Sequence, residues 1–88
     1  MDADASSIQN IRDAVRDVPD FPQPGIVFKD ITPILQSPTL LRESMKALAA
    51  PYRDAGIEAV VGIDARGFIF ATGVALELGA GFVPVRKA

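Results

Sequence analysis

The chain has 88 residues, 49% of them hydrophobic and 23% charged, and this length suits one small globular domain. With 9 basic and 11 acidic residues its net charge is −2, which gives no global reason to bind nucleic acid or an anionic membrane. Cys and His are absent, which excludes disulfides, thiolate nucleophiles, imidazole bases and metal sites built from these residues.

The amino-terminal residues do not have the pattern of a targeting signal. Residues 1–7 are acidic and polar, without the basic and apolar regions of a signal peptide. No apolar run approaches the roughly 18 residues that a membrane-spanning helix needs. We therefore expect a cytoplasmic protein that does not enter a membrane.

The first part of the chain predicts a short helix followed by a stiff loop. Ser7 can cap a helix whose apolar residues recur at helical spacing as far as Val15, and this helix should end near Val18. Prolines then follow in quick succession, each removing a backbone donor, so residues 19–25 should be irregular. The apolar run at residues 26–28 is too short for more than a strand fragment or an ordered loop.

A second helix is predicted to begin at Ser37 and Pro38, which suit its cap and its first position. Pro51 should cost about 3 kcal/mol inside a regular helix, so we expect a kink or break there, and Gly56 should end the element. The apolar stripe that should face the core consists of Leu41, Met45, Leu48, Tyr52 and Ala55.

The last third of the chain predicts a strand, a helix and a second strand. Residues 59–63 are apolar on both faces, which is typical of a buried parallel strand. Residues 68–78 can form a helix with Gly79 as its carboxyl-terminal cap, and residues 82–85 form the next strand. Pro84 lacks a ladder donor, which favours an edge position. The pattern indicates an α/β fold with an open parallel sheet, whose two strands need further strands and helices on both faces.

The turn from Ile63 to Phe68 is the sharpest candidate for a binding site. It joins the carboxyl end of a buried strand to the amino end of a helix, which is where α/β sheets bind ligands. Free amides, the helix dipole and the guanidinium of Arg66 favour an anion there, and Gly67 permits close approach of the backbone. The residues alone leave open a plain turn in which Asp64 caps the helix and Arg66 is solvated.

Three further features have alternative interpretations. Phe28 offers an aromatic face beside fixed backbone groups, which suits a flat heterocycle, although a Phe in a short apolar run is more often part of the core. Arg86 and Lys87 could clamp a phosphate at the end of the last strand, although such a pair is commonly solvated. The Ala-Thr-Gly sequence at residues 71–73 is interpreted as helix packing and not as a phosphate loop.

Three segments together resemble the adenine phosphoribosyltransferase family, in order and in spacing. They are Asp20-Phe-Pro-Gln-Pro-Gly-Ile-Val-Phe-Lys-Asp-Ile-Thr-Pro33, Val61-Gly-Ile-Asp-Ala-Arg-Gly-Phe68 and Gly81-Phe-Val-Pro-Val-Arg-Lys87. The resemblance implies the first part of the type I phosphoribosyltransferase fold: an N-terminal helix, a proline-rich loop, a helix and a βαβ unit. Residues 1–88 would form a single incomplete domain, because the family's Asp-Asp pair followed by Ala-Thr-Gly-Gly-Thr, which binds ribose 5-phosphate, is missing from the sequence.

The resemblance also implies a reaction in purine salvage. The 5-phosphoribosyl group of phosphoribosyl pyrophosphate would pass to adenine, giving AMP and pyrophosphate, and the 88 residues alone would be inactive. Phe28 would stack on adenine while the main chain at Val27 and Lys29 reads its edge. Pyrophosphate would be held by Asp64, Ala65 and Arg66, with a non-proline cis peptide bond in this loop, and by Arg86 and Lys87, which lie near the same phosphates or near a dimer interface.

Arg66 would be the catalytic cation, because it stabilises the departing pyrophosphate together with Mg²⁺ carried by the substrate. The resemblance further implies a homodimer. From charge and composition we expect no metal site made by the protein alone and no nucleic-acid partner. A non-catalytic purine-binding or dimerisation module with the front half of the fold is the alternative. A transferase for hypoxanthine, guanine or xanthine is less favoured, since the Val27-Phe28-Lys29 segment resembles the adenine enzymes.

Overall fold

The computed structural model describes residues 5–88, which fall into two compact units, residues 5–44 and residues 45–88. In chain order the helices and strands are α1 (Ala5–Ala14), β1 (Arg16–Pro19), β2 (Val27–Asp30), α2 (Thr32–Gln36), α3 (Pro38–Ala49), a 3-10 turn (Ala50–Tyr52), β3 (Ala59–Ile63), α4 (Arg66–Leu78) and β4 (Gly81–Val85).

The first unit contains a β-hairpin that the sequence did not predict. β1 pairs antiparallel with β2, and Arg16 lies opposite Asp30. The prediction of a helix as far as Val18 is wrong, because α1 ends at Ala14 and the next residues gain backbone partners and cross-strand ion pairs in the hairpin. Ser7 is not the cap, since α1 begins earlier, at Ala5, whose residue type has a high helix propensity.

The loop between the two strands is irregular, as predicted, except that Pro19 is the last residue of β1. Asp20 and Gly25 have φ values of 57° and 88°, and the Gly25 amide donates to Asp20 Oδ1 at 3.0 Å. The Phe21 amide donates to the carbonyl of Ile26 at 3.1 Å. These bonds close the loop into a defined conformation beside β2.

The second predicted helix corresponds to α3, and its start and the break at Pro51 are confirmed. The predicted end at Gly56 is wrong, because α3 ends at Ala49 and the 3-10 turn ends at Tyr52. Ser37 Oγ accepts the Leu40 amide at 3.2 Å, and the helix gives way to the 3-10 turn that contains Pro51. The predicted stripe is only partly correct, because Met45 is buried whereas Leu48 and Tyr52 are 48% and 51% exposed. The buried positions of α3 are Ser44, Met45 and Ala49, so the helix is rotated by about one residue from the predicted face.

A short helix before α3 was also missed. α2 contains a proline in its first turn, and Asp30 Oδ1 accepts both the amide and the hydroxyl of Thr32, at 3.0 and 2.7 Å. These bonds turn the chain out of β2 and into the helix. Ile34 of α2 is buried.

The second unit contains the predicted βαβ arrangement. β3 and β4 are parallel neighbours, with Ile63 opposite Val85. α4 starts earlier than predicted, at Arg66, and ends at Leu78 as predicted, and the φ of 66° at Gly79 confirms this residue as the cap. Within residues 5–88 β4 has β3 as its only strand neighbour, which agrees with the edge position expected from Pro84.

The two faces of this sheet have different surroundings. α4 packs against one of them, where the rings of Phe68 and Phe82 meet edge to face with centroids 5.8 Å apart. The expectation that both faces are buried is wrong for the described residues, because α4 covers only one. The side chains left about half exposed are Val61, Ile63, Val83 and Val85.

Candidate functional site

The loop between β3 and α4 lies at the carboxyl edge of the parallel sheet. Ala65 occupies the cap position of α4, and no side chain caps this 13-residue helix. Ala65 and Arg66 are exposed, and the peptide bond between Asp64 and Ala65 is cis, as the resemblance implies. Asp64 does not cap α4, and a helix start without a side-chain cap has free amides that can receive an anion.

The end of β4 lies directly beside this loop. The amide of Asp64 donates to the carbonyl of Val85 at 3.1 Å, and Asp64 Oδ1 accepts the amide of Lys87 at 2.9 Å. Arg86 and Lys87 are exposed where they leave the sheet. The structure thus brings together the two segments that were predicted to hold pyrophosphate, and it places Arg66, Arg86 and Lys87 at one edge of the sheet.

Close contact between the strand and the helix depends on Gly62. A Cβ atom there would lie 2.7 Å from the Ala71 Cβ, 2.7 Å from the Gly67 carbonyl oxygen and 2.9 Å from Phe82 Cε1. A Cβ on Gly67 would only reach Gly62 atoms at 3.7 Å or more. The closest approach of strand and helix therefore takes place at Gly62, which sets the distance between the start of α4 and the sheet. That Gly67 lets the backbone approach an anion stays a prediction.

The interior of α4 contains the Ala-Thr-Gly sequence that was predicted to pack within a helix. Residues 71–73 lie within α4, where Ala71 is buried and Thr72 Oγ1 donates to the carbonyl of Phe68 at 2.6 Å. Gly73 faces Met45 closely enough that a Cβ would clash with its side chain. This tripeptide is helix packing, as the sequence indicated.

A second candidate site lies on the hairpin of the first unit. Phe28 is half-buried, and its ring meets Phe21 edge to face with centroids 5.4 Å apart. These rings line a cavity of about 240 Å³ together with the side chains of Arg16, Val18 and Asp30. A cavity with aromatic walls and a polar end suits a flat heterocycle with hydrogen-bonding edges.

Val27 and Lys29 lie on the opposite face of β2 from Phe28, because side chains alternate along a strand. Val27 is 53% exposed, and Lys29 Nζ pairs with Asp17 at 2.6 Å. Their side chains therefore do not line the cavity. Within residues 5–88 β2 pairs with β1 alone, so its main-chain groups on the other side have no strand partner. Val27 and Lys29 can therefore bind the edge of a ligand through main-chain groups that point away from β1.

Reasoning from the sequence missed four residues of this cavity, Arg16, Val18, Phe21 and Asp30. Strand pairing is the signal that would have found three of them, since Phe21 lies in the loop between the strands. Arg16 and Val18 are two residues apart and lie opposite Asp30 and Phe28, so all four share one face of the hairpin.

The polar end of the cavity is an ionised pair. Hydrogen bonds from the Thr32 hydroxyl and amide, followed by the contact with Arg16, hold the pKa of Asp30 below its ordinary value of 3.8. Arg16 Nη2 donates to Asp30 Oδ2. Asp30 is therefore a carboxylate at neutral pH, and Arg16 neutralises it.

Two other site types receive no support from the part of the chain that the structure describes. Residues 5–88 contain no group of three or more Asp and Glu side chains that could hold a metal ion. No helix among these residues is long and apolar enough to cross a membrane.

The parallel sheet, the loop at its carboxyl edge and the preceding hairpin define part of a type I phosphoribosyltransferase fold. The adenine phosphoribosyltransferase of Rhodothermus marinus matches with a TM-score of 0.85 and 52% identity, covering 96% of this chain and 48% of that one. The Saccharomyces cerevisiae enzyme, in a complex containing adenine, matches with a TM-score of 0.89 and 40% identity, covering 97% of this chain and 53% of that one.

The particular resemblance is to adenine phosphoribosyltransferase, and it is confirmed. The enzyme of that name from Thermobifida fusca is 64% identical over 74 residues, covering 84% of this chain and 42% of the relative. No protein-family model matches the chain. The chain spans less than half the length of such curated relatives and is similar to their N-terminal portion.

Proposed function

We propose that this chain provides the adenine-binding and pyrophosphate-binding parts of an adenine phosphoribosyltransferase of purine salvage. The observation that carries the proposal is the hydrogen bond between the Asp64 carboxylate and the Lys87 amide, at 2.9 Å. This contact joins the loop at the start of α4 to the basic end of β4. An uncapped helix start beside exposed Arg66, Arg86 and Lys87 is a good receptor for a pyrophosphate group.

In the proposed reaction, adenine displaces pyrophosphate from the anomeric carbon of phosphoribosyl pyrophosphate and AMP is formed. Positive charge develops on the ribose and negative charge on the leaving pyrophosphate, so no protein nucleophile is needed. Arg66 and the α4 amides stabilise the leaving group, with Arg86 and Lys87 beside them. Mg²⁺ enters as part of the substrate, whose phosphate oxygens are ligands that it prefers.

Phe28 has the role of the adenine platform. Its ring lines the cavity of about 240 Å³ on the hairpin, and main-chain groups of β2 around Val27 and Lys29 read the edge of the base. Stacking of a base on an aromatic side chain contributes about 1–3 kcal/mol, which corresponds to roughly 5-fold to 150-fold in affinity.

Calorimetry of the 88-residue chain with adenine and with pyrophosphate tests both binding roles. Phe28→Ala should weaken adenine binding by about tenfold and leave pyrophosphate binding unchanged. Arg66→Gln should weaken pyrophosphate binding, whereas Arg42→Gln, an exposed arginine of α3 with the same change in charge, should not. Unchanged adenine binding in Phe28→Ala would reject the purine site.

Turnover requires, in this proposal, a ribose-5-phosphate-binding segment, and the 88-residue sequence contains no Asp-Asp pair followed by Ala-Thr-Gly-Gly-Thr. Residues 1–88 alone should therefore bind adenine and pyrophosphate but form no AMP from adenine and phosphoribosyl pyrophosphate. AMP formation by these residues alone would contradict this division of roles.

The alternative is a non-catalytic purine-binding or dimerisation module with the front half of the fold. The two hypotheses differ in whether the natural protein converts adenine and phosphoribosyl pyrophosphate to AMP. An AMP assay on protein isolated from its source distinguishes them. We further propose that the protein acts in the cytoplasm as a homodimer, a state that analytical ultracentrifugation would detect as twice the chain mass.

A further inference from the structure

At the end of the β3–β4 ladder, the side chain of Asp64 takes the place of its main-chain carbonyl as a hydrogen-bond acceptor. Ile63 and Val85 are the last register pair, and the ladder continues when the Asp64 amide donates to the carbonyl of Val85 at 3.1 Å. In a regular parallel ladder the next amide, that of Lys87, is accepted by the main-chain carbonyl of Asp64. Here the Asp64 carboxylate accepts it instead, at 2.9 Å. The side chain therefore extends the ladder where the backbone of β3 turns into the loop.

The chemistry of a carboxylate makes Asp64 unsuitable as a direct ligand for pyrophosphate. An ionised carboxylate has acceptors only, so it cannot donate to phosphate oxygens, and its charge opposes an anion. Its bond to an amide is charge-assisted and stronger than a bond between neutral groups. The useful contact of Asp64 is therefore with β4 and not with the ligand.

We propose that Asp64 is a positioning residue, whose carboxylate holds the end of β4 against the loop so that Arg86 and Lys87 lie at the same sheet edge as Arg66. Residues 86–88 are exposed, and the bond to Lys87 ties them to the sheet. This inference rests on the proposed pyrophosphate site. It reassigns Asp64, which the resemblance grouped with the residues that contact pyrophosphate.

Three variants of the 88-residue chain test the assignment. Asp64→Ala removes the acceptor and the charge, whereas Asp64→Asn removes the charge and keeps an Oδ1 acceptor. Asp54→Ala is the matched control, because Asp54 is exposed in a turn of the same unit and loses the same charge. Hydrogen exchange of the Lys87 amide, followed by NMR, reports the bond, and calorimetry with pyrophosphate reports the site.

In Asp64→Ala the Lys87 amide should exchange about tenfold faster or more, and pyrophosphate should bind about tenfold more weakly, as loss of one charge-assisted hydrogen bond requires. Asp54→Ala should stay close to the unaltered chain in both measurements. Asp64→Asn keeps an acceptor for the Lys87 amide, so the exchange rate should stay close to that of the unaltered chain, and pyrophosphate should bind equally well or more tightly. Removal of charge alone has the opposite effect on the affinity, because it makes the site more positive. Unchanged or tighter binding in Asp64→Ala would therefore overturn the proposal.

Weakened binding in Asp64→Asn with a protected Lys87 amide would also overturn it, because the charge and not the bond would then matter. If the unaltered chain binds no pyrophosphate, the proposed function fails, and Lys87 exchange alone decides the role of Asp64. Faster Lys87 exchange in Asp64→Ala but not in Asp64→Asn supports the role of Asp64 in holding β4. Equal exchange in the unaltered chain, Asp64→Ala and Asp64→Asn refutes it.

Discussion

Gly62→Ala is the change that most directly tests how β3 positions α4. The added Cβ would lie 2.7 Å from the Gly67 carbonyl oxygen and 2.9 Å from Phe82 Cε1, where ordinary contacts need 3.4 Å or more. Neither neighbour is the far end of a flexible side chain, so α4 must move away from the sheet by several tenths of an ångström. Overpacking of this kind costs about 1–3 kcal/mol.

Gly81→Ala is the matched control, because Gly81 belongs to the paired strand and a Cβ there meets only the Glu58 carbonyl oxygen, at 3.8 Å. That change should be neutral or stabilising by about 0.5–1 kcal/mol, since Ala has less backbone entropy to lose than Gly. The contrast between the two variants should thus be about 1–4 kcal/mol.

Thermal unfolding followed by circular dichroism measures this contrast. A loss of about 2 kcal/mol lowers the Tm of a domain of this size by roughly 8–16 °C. Displacement of the α4 start should also weaken pyrophosphate binding in Gly62→Ala and leave adenine binding intact. Equal Tm values for Gly62→Ala and Gly81→Ala would refute the close approach of strand and helix.

Three smaller predictions concern charge and exposure. The lowered pKa of Asp30 means that its contribution to stability is present above pH ~4 and is lost as the pH falls through the folded-state pKa. Thr32→Val should raise that pKa towards 3.8 in an NMR titration, and an unchanged pKa would rule out the hydroxyl as its main cause. Arg53 Nη2 pairs with Glu77 Oε1 at 2.9 Å and both side chains are about 28% exposed, so removal of either partner leaves the other charge partly buried and unpaired. Glu77→Ala and Arg53→Met should therefore each lower the stability measured by urea unfolding by about 1 kcal/mol, and no loss in either variant would contradict this reasoning. Val61→Thr should change stability by less than about 0.5 kcal/mol, because Val61 is 60% exposed, and a loss above about 1.5 kcal/mol would show that its face is covered.

The elements that the sequence predicted correctly have local causes. Ser37 and Pro38 start α3, Pro51 ends it, and Gly79 ends α4. The prolines and the glycine act through their own backbone conformations, and Ser37 acts through a side chain that accepts an amide three residues further on. The strand β3 was recognisable from its continuous apolar run. Such features need no knowledge of the tertiary structure.

The hairpin could not be predicted in this way, because it depends on a partner that is distant in sequence. Residues 11–18 fit a helical pattern, yet Arg16 and Val18 gain more from pairing with Asp30 and Phe28, 14 and 10 residues further on. Cross-strand pairs of this kind outweigh helix propensity, which differs among ordinary residues by less than about 0.7 kcal/mol. Three of the five cavity residues, Arg16, Val18 and Asp30, were missed for the same reason.

Asp64 shows how far the role of a site residue can be predicted from the sequence. A single carboxylate in a strand-to-helix turn can cap a helix, approach a ligand or tether a neighbouring strand, and these roles differ only in which amide lies within about 3 Å. The parallel register supplies the missing information, because pairing of Ile63 with Val85 brings the Lys87 amide opposite Asp64. Once β3 and β4 are recognised as parallel neighbours and their register is fixed, the ladder geometry places the Lys87 amide beside Asp64, and the structure shows that the carboxylate accepts it in place of the main-chain carbonyl. The resemblance assigned the same residue to pyrophosphate because it identifies which positions form the loop, not which atom each side chain contacts.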